Sequence, residues 1–235
     1  MRVDWSPLRR AVRPGQRLWW RDDDAVAATP ELDGLLRLSD EVRVPVCLAV
    51  IPALAKASLP QALGPDTRVM VHGWRHADTS QEGQKRSEFV SPRPAALRET
   101  AEALARMQSL FGSRLAPVFV PPWNRISDEI ASGLAAQGYA ALSTYGPRAK
   151  QRDVGVQRLN THIDPIDWRG SRGLADPAAL IDRAAAQMRD YPDEPLGFLT
   201  HHLVHTAEVT AFSRAFLLEM LNAGAVAPPV GSLIP

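Results

Sequence analysis

The chain has 235 residues, 45% of them hydrophobic and 23% charged, which is enough to bury a core of ordinary size. Its 27 basic and 26 acidic residues nearly cancel, at a net charge of +1, which argues against a nucleic-acid or membrane-surface partner. A single cysteine, Cys47, excludes an internal disulfide and fits a reducing compartment.

Residues 1–16 read as an irregular lead-in broken by Pro7, Pro14 and Gly15. The stretch carries Asp4, Arg9, Arg10 and Arg13 and no apolar segment of signal-peptide length. No run reaches the roughly 18 apolar residues of a membrane span, so the expected location is cytoplasmic. Arg17 to Trp20 is a short strand, and the acidic knot Arg21-Asp22-Asp23-Asp24 follows it. Thr29-Pro30-Glu31 reads as a helix start, with a hydroxyl cap, proline in the first turn and an acid after it. The nearly unbroken apolar run Val44 to Ile51 suits a strand covered on both faces. Arg68 to Val71 is another strand, and the histidines of His72-Gly73-Trp74-Arg75-His76 follow at its tip.

Residues 77–92 are polar, contain Gly83 and Pro92, and read as a long loop of the kind that often carries function. Pro94 to Phe111 is a helix, with an expected apolar stripe of Leu97, Ala101, Leu104, Met107, Leu110 and Phe111. Pro117 to Val120 is a strand that runs into Pro121-Pro122-Trp123-Asn124-Arg125. Ser127 caps the next helix, and strands follow at Tyr139 to Leu142 and Gly155 to Leu159. Asp176-Pro177 opens a helix through Met188, Pro195 to Thr200 is a strand ending at His201-His202, and a last helix runs from Val209 to Leu221.

Strand and helix patterns alternate with short connections, which implies parallel strands and right-handed crossovers. About seven strands are visible, so a barrel or near-barrel in one domain over 1–235 is expected. The rare polar residues sit after strands: Asp22 to Asp24, His72 and His76, Trp123 to Arg125, His162 to Asp167, and His201. In a parallel barrel such positions share one face. One aspartate and two histidines form a natural open zinc set. A cation held so lowers the pKa of its water to about 7. A second carboxylate would accept a proton there and a histidine would donate one to a leaving amine, the parts of an amide or ester hydrolase.

These residues resemble the polysaccharide deacetylases, the NodB-like family 4 carbohydrate esterases. The resemblance rests on an acidic pair, a His-x-x-x-His pair, a proline motif, an Asp-Trp motif and a late Leu-x-His motif, in the family's order from Arg21 to His202. The wording of the motifs looks like a divergent branch. The resemblance implies a distorted (β/α)7 barrel and a divalent metal, most simply Zn2+. It implies Asp23 as general base, Asp24, His72 and His76 as metal ligands, and His201 as general acid. Asp22 extends the acidic run, so the register of the pair is open by one residue. Gly73 stands where a small or hydroxyl residue is usual.

Pro121-Pro122-Trp123 matches the proline motif, Asp164 to Trp168 the Asp-x-x-Asp-Trp motif, and Leu199-Thr200-His201 the Leu-x-His motif. Trp74, Pro122, Trp123, Asn124, Arg125, Asp164, Asp167, Trp168 and His202 are the expected residues around substrate or ligands, and His162 is an alternative fourth ligand. Backbone donors near Trp74 or Trp123 are expected at the oxyanion. Val120 replaces the family's arginine, and Arg125 is the candidate substitute on the base.

The expected activity is removal of an acetyl group from an N-acetylated sugar or polysaccharide. A carbohydrate-binding relic of the fold, or an amidohydrolase on a non-sugar amide, is the alternative.

Overall fold

The computed structural model describes residues 3–91, 93–148, 152–153 and 155–235. Eight strands form one sheet in the order β6-β7-β5-β4-β3-β2-β1-β8. They are β1 Leu18–Ala25, β2 Val46–Val50, β3 Arg68–His72, β4 Leu115–Val120, β5 Ala141–Leu142, β6 Arg152–Asp153, β7 Val156–Arg158 and β8 Leu196–Thr200. The paired registers are parallel except that of β6 with β7. The helices are α1 Ser6–Ala11, α2 Pro30–Val42, α3 Ser58–Ala62, α4 Ala96–Phe111, α5 Asp128–Gly133, α6 Pro177–Asp190 and α7 Ala207–Asn222. None among the described residues is long and apolar enough to cross a membrane.

The chain divides into two compact units. The first comprises 1–22, 29–46 and 161–229. Here β1 pairs with β8, Leu18 to Asp22 matching Leu196 to Thr200. Its largely aliphatic core includes aromatic contacts: Phe198 stacks on Phe216 at 5.0 Å, and Trp5 at its edge lies 5.5 Å from Phe212. The helix starts follow the sequence. Thr29 accepts from the Leu32 N–H, Asp176 from Ala178 and Thr206 from Val209.

The second unit comprises 23–28, 47–160 and 230–235. Here β2 to β5 and β7 pair in parallel, and the β3–β4 register shifts between Val69 and Val71. The shift leaves His72 opposite Val120. Cys47 is buried, as a structural thiol.

Four expectations change. The lead-in contains α1, because Pro7 falls in the first turn, where its missing N–H costs nothing, and Leu8 is fully buried. The acidic knot lies within β1 rather than after it. In α4 the buried positions are Ala96, Thr100, Ala103, Met107 and Phe111, while Leu97 is 40% exposed. Met107 and Phe111 are buried as expected, but small residues fill the inward face of the first turns and Leu97 lies beside it. The short antiparallel strand β6 carries no apolar pattern that would have announced it. Pro92 lies outside the described residues.

Candidate metal centre

β3 delivers His72 into the second unit's interior, where it is 2% exposed. Its Nδ1 donates to the Val120 carbonyl at 2.9 Å. A carbonyl can only accept, so the ring proton sits on Nδ1 and the Nε2 lone pair points outward. Nε2 lies 3.1 Å from Oδ1 of Asp24, and His76 Nε2 lies 3.4 Å from the same oxygen. One donor atom each from Asp24, His72 and His76 falls within 4.8 Å of the others, and no second such cluster occurs among the described residues.

A tetrahedral ion with bonds of about 2.1 Å needs donor–donor edges of about 3.4 Å. The 3.1 and 3.4 Å separations fit that figure. An unprotonated imidazole nitrogen facing a carboxylate oxygen also sets two lone pairs against each other. A proton or a cation must lie between them. Burial alone pushes His72 down, but the charge of Asp23 and the bond and charge of Asp24 outweigh it and raise its pKa. His76 is pushed below its ordinary value by burial and by the charge on His72, with Asp24 opposing. The corner attracts positive charge, and two imidazoles with one carboxylate suit zinc or a related divalent ion.

The backbone here is unusual. Asp24, His76, Trp123 and Asn124 all adopt left-handed φ, at 73°, 55°, 55° and 57°. Such φ values are uncommon in residues with a β-carbon and cluster at functional sites. The Trp123 ring lies 4.4 Å from that of His76. Pro122 is buried beside Gly73, and the Asn124 N–H donates to the Pro121 carbonyl.

Asp23 is 3% exposed. Arg125 does not serve it: its guanidinium donates to the Arg86 carbonyl at 2.7 Å. Val120 instead contributes its carbonyl, which accepts from both His72 Nδ1 and the Gly73 N–H. The Trp74 N–H is engaged by Glu88, so it is not the expected oxyanion donor. The Trp74 side chain is half-buried and lines a cleft of about 490 Å³ with Ala53, Leu54, Arg75 and Arg106.

Glu88 is the residue the sequence reading missed. It is 1% exposed within the stretch read as a polar loop. The one signal was its neighbour Phe89, a lone aromatic in a polar run, which is fully buried.

In the first unit, Asp22 is fully buried and accepts from Thr200 Oγ1 at 2.6 Å and from His202 Nδ1 at 2.5 Å. Trp20 Nε1 donates to the Thr200 hydroxyl at 2.8 Å. His201 is partly exposed and meets the edge of Trp168 at 4.7 Å. Trp168 is 41% exposed, so it is not a core residue, and its Nε1 donates to Asp164 at 2.7 Å. Asp167 caps the following turn by accepting from the N–H groups of Gly170 and Ser171. His162 accepts from the Gly197 N–H through Nδ1, and its Nε2 lies 3.2 Å from Glu194. Its Nδ1 is thereby engaged, and His162 does not join the cluster of Asp24, His72 and His76.

No family model matches the sequence, and no curated protein sequence matches it. Solved structures do resemble it. A family 4 carbohydrate esterase from Streptomyces lividans in complex with acetate is 14% identical, covering 92% of this chain and 93% of its own, with a TM-score of 0.55. A family 4 acetyl xylan esterase from Clostridium thermocellum in complex with a cobalt ion is 14% identical over 92% of this chain and 89% of its own, at 0.55. A mutant of a family 4 pseudoenzyme with restored enzymatic activity is 15% identical over 90% of this chain and 64% of its own, at 0.57. Identities this low speak to architecture alone. The chain has the NodB-type fold seen in the polysaccharide deacetylases, the family 4 carbohydrate esterases.

Proposed function

We propose that this chain is a metal-dependent hydrolase that removes an acetyl group from an N-acetylated sugar or polysaccharide. The observation that carries the reading is the Asp24 oxygen facing two imidazole nitrogens at 3.1 and 3.4 Å on a deacetylase fold. Asp24, His72 and His76 would hold the ion. A bound divalent cation supplies Lewis-acid polarisation of the scissile carbonyl and a water of lowered pKa.

The chain's own residues supply the rest. Asp23, buried beside Asp24 in sequence, would take the proton from the attacking water. His201 would protonate the leaving amine. The half-buried faces of Trp123 and Trp74 would meet a sugar ring, as aromatic faces do.

A second reading has one observation in its favour. Val120 replaces the motif arginine, and Arg125 is spent on the Arg86 carbonyl, so neither orients Asp23. That fits a carbohydrate-binding relic of the fold.

One experiment separates the two. Purified protein is assayed for bound metal, then for acetate release from N-acetylated mono- and oligosaccharides with zinc or cobalt added. Stoichiometric metal with acetate release supports the hydrolase. Metal and sugar binding without acetate release supports the relic, and no metal uptake overturns the ligand assignment.

A further inference from the structure

Three successive backbone N–H groups converge on one buried carboxylate. Glu88 Oε1 accepts from Arg75 at 2.8 Å, and Oε2 accepts from Trp74 at 3.1 Å and His76 at 3.2 Å. Consecutive amides pointing into one concavity form an anion nest. Here the anion belongs to the chain itself, and the turn it organises is the one that separates His72 from His76.

The sequence makes room for this contact. Gly73 sits at φ 59°, and a β-carbon there would stand 2.4 Å from Glu88 Oε2 and 2.6 Å from the Pro122 ring. The carboxylate occupies the space that a side chain at position 73 would fill. The turn then ends at His76 with φ 55°, a conformation that a β-carbon resists and that something must hold.

Glu88 is itself well held. Thr79 Oγ1 and Arg93 Nη2 donate to its carbonyl at 3.1 and 3.2 Å. Its neighbour Phe89 packs edge-on against Phe119 at 5.3 Å, and the Phe89 carbonyl accepts from the Ser127 N–H. The loop is thus a strap pinned to β4 and to the start of α5, with one carboxylate directed at the histidine turn.

We infer that Glu88 is a positioning residue for the metal centre. Its carboxylate fixes the Gly73–His76 turn in the one conformation that brings His76 Nε2 to the Asp24 oxygen beside His72. The inference rests on the metal-centre reading above. A glutamate that merely stabilised the loop would lower the melting temperature without changing what the histidines present.

The test uses the full chain and Co2+ as probe. Glu88→Gln keeps the size but offers one acceptor oxygen and sets an NH2 group against backbone donors. Gly73→Ala pushes a methyl into the carboxylate's place while leaving Glu88 intact. Both variants should weaken Co2+ binding about 10- to 100-fold, the range for residues that orient ligands. Both should alter the visible Co2+ spectrum and speed amide exchange at residues 74–76. Thr206→Ala, which removes the N-cap of α7, serves as a control that lowers stability without touching the turn.

If Glu88→Gln and Gly73→Ala bind Co2+ with wild-type affinity and spectrum, the inference is overturned and the metal reading stands. The same holds if they lose no more affinity than Thr206→Ala. If the wild-type protein takes up no Co2+, the metal reading fails and takes this inference with it.

Discussion

Asp22 and Asp24 flank Asp23 on one strand, and each meets histidine, yet the two contacts are physically opposite. Asp22 is fully buried, and both of its oxygens receive protons already in place, from the Thr200 hydroxyl and from His202 Nδ1. Thr200 in turn accepts from Trp20, so the chain of donors and acceptors closes. Asp24 has a side chain 33% exposed, and its Oδ1 faces two imidazole nitrogens, of which His72 Nε2 has given its proton's place to Nδ1. A closed set of donors and acceptors stabilises a fold. Where an acceptor nitrogen of His72 faces an acceptor oxygen of Asp24, a proton or a cation has to stand between them. Residue types do not distinguish the two cases; counting protons does. The backbone agrees, since Asp22 pairs in register with Thr200 while Asp24 is held at φ 73°.

Paired alanine replacements are the strongest way to break that contrast. Asp24→Ala should abolish stoichiometric zinc and cut acetate release by about a thousandfold or more, because Lewis-acid stabilisation is worth several kcal/mol. The melting temperature of the metal-free protein should change little. Asp22→Ala should strand two buried donors at a cost of about 3–5 kcal/mol. For a chain of this size that lowers the melting temperature by roughly 10 °C. Zinc per folded molecule should stay near the wild-type value. Elemental analysis and thermal melts on both proteins read this directly, and a reversed pattern would mean the two aspartates have been assigned the wrong way round.

Thr200→Val asks a smaller question of the same closed network. Valine keeps the β-branched shape and removes the hydroxyl between Trp20 Nε1 and Asp22 Oδ2. The expected loss is about 1–3 kcal/mol, the cost of leaving buried polar groups unpaired. Denaturant unfolding measures it. A neutral result would mean that water replaces the hydroxyl and that the network is less closed than its distances suggest.

Much of this architecture was legible because it is written in local patterns. The apolar run around Cys47 and the Thr29-Pro30-Glu31 start gave β2 and α2 within a few residues. The end of an apolar run marked His72, whereas the acidic knot, expected after β1, lies inside it. What stayed hidden depends on contacts distant in sequence. Nothing local says that Asp22 will meet Thr200 and His202, or that Arg125 will turn to the Arg86 carbonyl. Glu88 was invisible for a different reason. A glutamate in a polar stretch is ordinarily solvated, and only three amides turned inward by a left-handed turn make its burial favourable. Gly73 was read as a variant of a motif, whereas its physical role is to leave room for that carboxylate.

The smallest effect comes from His205, beside the closed network in the first unit. Burial pushes this imidazole below its ordinary value; Asp22 opposes the shift, and the charges of His201 and His202 add to it. Its Nε2 is buried without a hydrogen-bond partner among the described residues. The folded protein therefore holds a proton here less tightly than the unfolded chain, where histidine titrates near about 6.5. Above that pH the group is neutral in both states and leaves stability unchanged. Below it the unfolded chain takes up the proton first, so stability falls as pH falls. One imidazole contributes at most about 1.4 kcal/mol per pH unit. Unfolding free energies of wild type and His205→Asn between pH 7.5 and 5, a window of about one unit above and below that titration, should diverge only on the acid side, with the variant's curve flatter. Parallel curves would show that the charged imidazole reaches water in the folded state, and that the protons of this corner are less fixed than its geometry implies.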